Sequence, residues 1–348
     1  MTIGARVLKT GLAVAFAIFL SNLFSFDSPV IAAVASIFTI QPSIYRSWQQ
    51  VLDQVQSNIL GAAIALGAVQ FIGSAPIAIG IVCIAVILIN IRLKMEGAIG
   101  LTLVTVVAVM EAHAQGWDFA LGRFLMVMTG MGAAFFVNVL LFPPRPRRQF
   151  TQQVHEAHAK LSLLLRTSIS NEIKEQVHKE EKEALHATLR KLDERFMLFE
   201  EERAFRSEKK LDRARQLLVS KQMIKALQKG ADLLDVVEEH YFSAPGAEEW
   251  AGRFDRQIEE LTKYHEHILL KSEGKMKPNV QIEPEEEREE RFVKQLTGYL
   301  GEDPTLHKRL IFVASSLFEY GYHLRRLEKL LDQVRERERP QRTPESEL

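Results

Sequence analysis

SPVIAAVASIFTIQPSIYRSW, residues 28–48, opens on a Ser-Pro step, stays largely apolar from Val30 to Ile40, and breaks at Gln41-Pro42 ahead of Tyr45, Arg46 and Trp48. As a helix, those eleven residues fall short of the roughly 20 apolar residues that a hydrocarbon core requires. The stretch reaches that length if Ser28 caps the helix, Pro29 occupies its first turn and Pro42-Ser43 lie in the far interface. It then reads as the returning limb of a membrane hairpin whose outward limb is residues 10–26.

Two more hairpins follow by the same logic. Residues 57–72 pair with 76–91 about a Gly73-Ser-Ala-Pro76 turn, and residues 97–112 pair with 119–142 about a turn through His113, Gly116 and Asp118. The apolar run over 59–91 is much longer than one crossing at about 1.5 Å per residue, so its Gly-Ser-Ala-Pro step has to be a turn. The first hairpin is expected over 7–26 and 29–44. Six crossings result, and the like endings of the three hairpins suggest a threefold internal repeat.

Cations mark one side of this arrangement. Arg46 follows the first hairpin, Arg92 and Lys94 the second, and Arg145, Arg147 and Arg148 the third, while Arg6 and Lys9 precede the first span. The opposite turns carry none. Loop cations stay on the cytoplasmic face, which puts both termini in the cytoplasm of a multi-pass cell-membrane protein. Arg6 and Lys9 before an apolar run also suit a signal peptide, but Ser28-Pro-Val is no small-residue cleavage site, so the segment is expected to be a retained first helix.

The chain has 348 residues, 44 basic and 44 acidic. That balance conceals two unlike halves, because only nine of the basic and five of the acidic residues fall before residue 150. Residues 1–144 read as the six-helix membrane domain, residues 145–340 as a cytoplasmic helical domain with a charged loop near 271–290, and residues 341–348 as a disordered tail. Cys83, the single cysteine, lies in an apolar run and reads as a small buried hydrophobe.

Polar residues inside apolar spans are the functional leads, because a charge at the bilayer centre costs about 2.5–3.5 kcal/mol on insertion scales. Arg123 stands about one turn into the sixth span, near Asp118 and Glu111; it reads either as a local partner of Asp118 or as a cation that attracts an anion. Glu111, beside His113, reads as a solvated loop edge or as half of a protonatable pair. Glu96 reads as an interfacial partner of Arg92 and Lys94. Asn90, Gln70, Thr102, Thr105 and Asn138 either line a path or hold helices together, and the glycines at 61, 67, 73, 97, 100, 122, 130 and 132 allow close packing.

After Phe142-Pro-Pro-Arg-Pro-Arg-Arg148 the pattern is strongly helical and charged. Leu306, Leu310, Val313, Leu317, Tyr320, Leu324, Leu327, Leu331 and Val334 step by four and three, a heptad seam over four heptads. Similar stepping around Leu185, Ile224 and Phe254 predicts an antiparallel bundle, with a helix start at Asp303-Pro304. No phosphate-cradling glycine loop or HExxH is present, so no enzymatic activity is expected. His155 and His158, and His265 and His267, have spacings that invite a metal but read as surface or seam histidines; no metal or cofactor is expected. Interleaved charges of both signs argue against nucleic acid as a partner.

The six-span half, with Ser28-Pro-Val and Gln41-Pro-Ser-Ile-Tyr-Arg46, followed by a cytoplasmic helical domain, resembles the aromatic acid exporter family in its short Gram-positive branch. The wider group includes fusaric-acid-resistance-like proteins and plant aluminium-activated malate channels. The resemblance covers the whole chain and implies passage of organic anions through a six-helix set completed by a second copy. The chain has one such set where the long bacterial exporters have two, and a homodimer restores the count.

The expected function is therefore a permease or exporter of organic anions, aromatic carboxylates above all, embedded in the lipid bilayer as a homodimer. Its expected path residues are Arg46, Arg92, Arg123, Glu111, Ser28 and Gln41. The alternative is a non-transporting scaffold or sensor whose helical bundle binds a protein partner.

Overall fold

The computed structural model describes residues 5–112, 116–141, 146–170, 172–205, 210–277, 286–302 and 308–338. Among these residues every regular element is helical. The chain divides into two compact units, Met1–Arg145 and Pro146–Leu348. The predicted contributions of His113, Arg145 and Leu306, the Asp303-Pro304 start, part of the charged loop and the tail lie outside the described residues.

The first unit holds α1 (Ala5–Leu23), α2 (Pro29–Thr39), α3 (Ile44–Ile72), α4 (Pro76–Arg92), α5 (Ile99–Glu111) and α6 (Gly116–Phe136). A 3-10 turn at Glu96–Ala98 leads into α5, and a π-helical turn at Val137–Leu141 prolongs α6. Side-chain contacts fix the direction of each helix. Lys9 of α1 reaches Asn138 beyond α6, while Ala17 packs with Ala32 and Ala133, so α1 runs against α2 and α6. Trp48 meets Phe135, and Val51 and Val55 pack against Met126, Val127 and Met131, so α3 runs against α6. Ser57 meets Asn90 whereas Ala65 packs with Val82, so α4 runs against α3. Gln50 meets Gly97 and Gln54 meets Thr102, so α5 runs with α3. Consecutive helices therefore alternate in direction.

Four features differ from the sequence expectation. First, Ser28 makes no side-chain cap to α2, and the Ile31 N–H bonds the Ser28 carbonyl instead. Second, α2 ends at Thr39, because Pro42 has no N–H to offer and Ile40 is already extended. Third, α3 starts at Ile44 rather than near 57; Ser43 caps it by accepting the Arg46 N–H at 3.1 Å, so Tyr45, Arg46 and Trp48 ride its first turns instead of a loop. Fourth, the strongest packing is not that of three equivalent hairpins. Helix α5 lies chiefly on α3, and α6 chiefly on α2 and α1.

Three of the glycines make the close contacts expected of them. A Cβ on Gly61 would stand 2.7 Å from Thr102 Cγ2, one on Gly97 2.8 Å from Gln50 Oε1, and one on Gly130 2.1 Å from the Ala32 carbonyl oxygen. Gly67, Gly122 and Gly132 have nothing within 4 Å.

The second unit contains α7 (Pro146–Ser168), α8 (Glu175–Phe205), α9 (Lys210–Val236), α10 (Ala251–Ser272), α11 (Glu286–Glu302) and α12 (Lys308–Glu338). Lys160–Glu181, Lys182–Asp235 and Lys229–Glu319 contacts show α7, α8, α9 and α12 alternating in direction. Helix α10 runs against α7, through His155–Glu273 and His158–His265. The α12 seam from Leu310 to Leu331 is buried in this unit's own core, while Ile311, Phe312 and Tyr322 of the same helix are exposed.

Candidate functional site

The first unit is built inside out. Phe71, Ile77, Val30, Leu23, Phe19 and Leu140 are exposed, while Ser47, Gln54, Ser57, Asn58, Asn90 and Asn138 are buried. In water such an arrangement wastes apolar area; in lipid it is the stable one, because buried polar groups find partners and apolar side chains face hydrocarbon.

Two polar clusters hold the interior. One closes the break between α2 and α3. Ser47 Oγ donates to the Thr39 carbonyl (3.1 Å) and accepts from the Gln41 N–H (3.2 Å) and from Asn138 Nδ2 (2.8 Å). A hydroxyl has one donor and two acceptor positions, and here all are used. Lys9 Nζ completes the cluster by donating to Asn138 Oδ1 at 3.1 Å. The Gln41 side chain donates to the Phe38 carbonyl at 3.3 Å, which closes the end of α2.

The other cluster joins α3, α4 and α5. Ser57 donates to Asn90 Oδ1 at 2.6 Å, which leaves Thr102 Oγ1 to donate to Ser57 at 2.7 Å and to accept from Gln54 Nε2 at 3.2 Å. Asn90 Nδ2 returns to the Val86 carbonyl at 2.9 Å. Thus Asn90, Thr102 and Asn138 hold helices together, Thr105 bonds the Leu101 carbonyl of its own helix, and Gln70 is exposed. Asn58 adjoins this cluster, 1% exposed, with no hydrogen-bond partner for either side-chain polar atom among the described residues; Gln54 Oε1 lacks one too.

The six expected path residues divide between the two ends of the unit. Gln41, Arg46 and Arg92 lie at the end where α1 begins and α2 and α4 finish; Arg46 is half-buried and Arg92 exposed. Ser28, Glu111 and Arg123 lie toward the other end, where Glu111 is exposed and Ser28 half-buried. Arg123 is half-buried with its Nε enclosed and unpartnered, and it makes no ion pair with Asp118 among the described residues. The described cations Lys9, Arg46, Arg92 and Lys94 gather at the first end, with Glu96 the acid beside them, and Asp27, Glu111 and Asp118 gather at the second, with Arg123 the cation there.

Sequence reading passed over Lys9, Ser47, Gln54, Ser57 and Asn58 as site residues. Their signal was a stripe: Ser47, Gln50, Gln54, Ser57, Asn58 and Gly61 recur every three or four residues on one face of α3. In the second unit, His158 and His265 come within 4.7 Å between ring centroids, with Tyr320 Oη 2.8 Å from His265 Nδ1. No group of three metal-ligating side chains occurs among the described residues.

An all-helical unit with polar residues inside and apolar residues outside is of the membrane-protein class. Residues 1–141 match the family model described as aromatic acid exporter family member 1. The UPF0421 protein YgaE of Bacillus subtilis is 32% identical over 338 residues, 95% of each chain. UPF0421 proteins of Halalkalibacterium halodurans (30% identical, 46% of this chain and 45% of the relative) and Oceanobacillus iheyensis (27% identical, 44% of each) are similar over shorter stretches. The chain belongs to the aromatic acid exporter family, a family of membrane exporters.

Proposed function

We propose that this protein carries organic anions, aromatic carboxylates above all, across the cell membrane as a homodimer, with six crossings and both termini in the cytoplasm. The observation that carries the reading is the position of Arg123: a guanidinium in a largely apolar helix, enclosed at Nε, and held by no acid among the described residues. A cation kept this way is costly to insert, and a carboxylate that accepts two parallel hydrogen bonds offsets that cost.

Charge polarity supports the orientation, since the Lys9 end carries the cations that stay cytoplasmic. Alternating helix directions support six crossings. Among the described residues, Ile44–Ile72 and Trp117–Leu141 are each long and apolar enough to cross alone, whereas Val7–Leu23, Pro29–Thr39 and Pro76–Arg92 are apolar but shorter. Helix α2 gains reach from its break. Its 11 residues rise about 16 Å, and extended Ile40 adds about 3.3 Å more before the chain reaches the level of Asn138, which bonds the Gln41 carbonyl. On this reading, a second copy completes the enclosure of the path through the first unit, and the second unit is cytoplasmic.

Purified protein in liposomes should show saturable salicylate or hydroxybenzoate flux. Arg123→Ala should lower it, and Arg123→Lys should restore it only in part, because lysine keeps the charge and loses the planar fork. Absence of saturable flux in the wild type overturns the reading.

A further inference from the structure

Among the described residues of the first unit, the buried side chains that lack any hydrogen-bond partner are Ser21 and Asn58, and of these only Asn58 presents both a donor and an acceptor amide atom. Asn58 is 1% exposed, and neither Oδ1 nor Nδ2 has a partner among the described residues. One turn away, Gln54 Oε1 is unmet as well, while Gln54 Nε2 is engaged by Thr102 and by the Ala98 carbonyl, which fixes the orientation of that amide. A buried donor or acceptor left unsatisfied costs roughly 1–3 kcal/mol. Leucine would fill the Asn58 position without that cost.

The register of α3 against α6 gives the level at which these atoms lie. Trp48 meets Phe135, and one to two turns on, Val51 and Val55 pack with Met131 and Val127. The helices are antiparallel, so extending both faces by one more turn leads from Val55 to Asn58 on α3 and from Val127 to Arg123 on α6. Arg123 Nε is likewise enclosed and unpartnered among the described residues. By this register Asn58 and Arg123, on different helices, stand at about one level with donors unmet among the described residues, one turn beyond the cluster that holds Val55 and Val127.

We propose that Asn58 and Arg123 form one carboxylate-binding site, with the Asn58 Nδ2 and Arg123 guanidinium N–H groups donating to the two oxygens of the anion. Asn58 Oδ1 and Gln54 Oε1, as acceptors, hold a water carried along with it. The inference rests on the organic-anion reading and deepens it by adding a binding residue that the sequence did not point to.

The test is benzoate flux at about pH 8 in proteoliposomes of full-length wild type, Asn58→Leu, Asn58→Asp, Arg123→Ala and the Asn58→Leu, Arg123→Ala double variant, with melting temperatures in detergent beside it. Loss of one hydrogen bond to a charged ligand predicts a KM raised about tenfold or more in Asn58→Leu. Its melting temperature should equal or exceed that of wild type, because an unmet amide has been replaced by an apolar side chain. Asn58→Asp should abolish saturation, since a carboxylate then faces a carboxylate. The double variant should be little worse than Arg123→Ala alone.

Wild-type KM in Asn58→Leu, or independent multiplicative effects of the two substitutions, overturns the shared site and leaves the transport reading standing. No saturable flux in the wild type overturns both. If Asn58→Leu does not accumulate, Asn58→Asp decides: an unchanged KM there removes Asn58 from the site.

Discussion

Gly130 on α6 presses its backbone against Ala32 on α2, so closely that a methyl group on Gly130 would stand 2.1 Å from the Ala32 carbonyl oxygen and 2.8 Å from its Cα. Both obstructing atoms are backbone, so neither can swing aside. Without a hydrophobic drive between helices in lipid, such small-residue contact is what holds a pair together.

Gly130→Ala should therefore force α2 and α6 apart and lower stability by about 3 kcal/mol, the upper end for overpacking. The melting temperature of detergent-solubilised protein checks this. Gly132→Ala, with open space around it, should leave the melting temperature unchanged; equal losses from the two would rule out the contact as the cause.

Asn138 serves α1, α3 and the break between α2 and α3 at once, through Lys9, Ser47 and the Gln41 carbonyl. Asn138→Leu should cost roughly 2 kcal/mol by leaving these groups unmet. Asn138→Asp should be milder, because it puts a carboxylate opposite the Lys9 ammonium. Thermal unfolding of the two variants at equal expression gives the order.

The second unit should be acid-sensitive through its buried histidines. Burial pushes His158 down to about 4 and holds His265 well below the usual imidazole value. The unfolded chain takes up these protons near pH 6.5, whereas folded His158 takes its proton only near 4, so the unfolded state binds more protons between those values. Stability is intact above about pH 6.5 and falls as pH drops toward 4, by roughly 3 kcal/mol from His158 alone. Trp250 fluorescence in a Trp48→Phe, Trp117→Phe background should show that loss, and His158→Phe should flatten the pH slope.

Glu328 is a buried carboxylate held by Lys271 Nζ at 2.6 Å and by the Tyr264 hydroxyl at 2.6 Å. Lys271→Met strands that charge and should cost about 3 kcal/mol. The paired change Lys271→Met with Glu328→Gln should recover most of it. A double-mutant cycle on unfolding free energies reads the coupling directly.

Reporter fusions check the orientation. Fusions after Pro76 should report the outer side, and fusions after Arg46, Lys94 and Arg148 the cytoplasmic side. An outer signal at Lys94 would invert α4 and end the six-crossing reading.

Much of the helical content was legible because apolar length and heptad spacing are local properties: the Gly73-Ser-Ala-Pro76 turn and the α12 seam both stand where the sequence suggested. The first thirteen residues of α3 were not, since Ile44 to Gln56 is too polar to pass as a span and its partners lie elsewhere in the chain. Gln54 finds Thr102 48 residues on, and Ser47 finds Asn138 91 residues on. The candidate site was half legible. Arg123 announces itself as a charge in an apolar helix, but an asparagine among serines and glutamines looks like ordinary glue, and only the finished packing leaves Asn58 without a partner among the described residues.

The break between α2 and α3 also sets the order in which this protein can be made. Thr39, Gln41 and Ser47 leave the ribosome long before Asn138, which lies 91 residues beyond Ser47 and 129 beyond Lys9. Until that residue arrives, the peptide groups at the break depend on a single hydroxyl, and the Lys9 ammonium lacks its amide. The first three helices are thus threaded early but latched late, and a chain interrupted before its sixth helix leaves an unlatched seam in the bilayer, open to quality-control proteolysis.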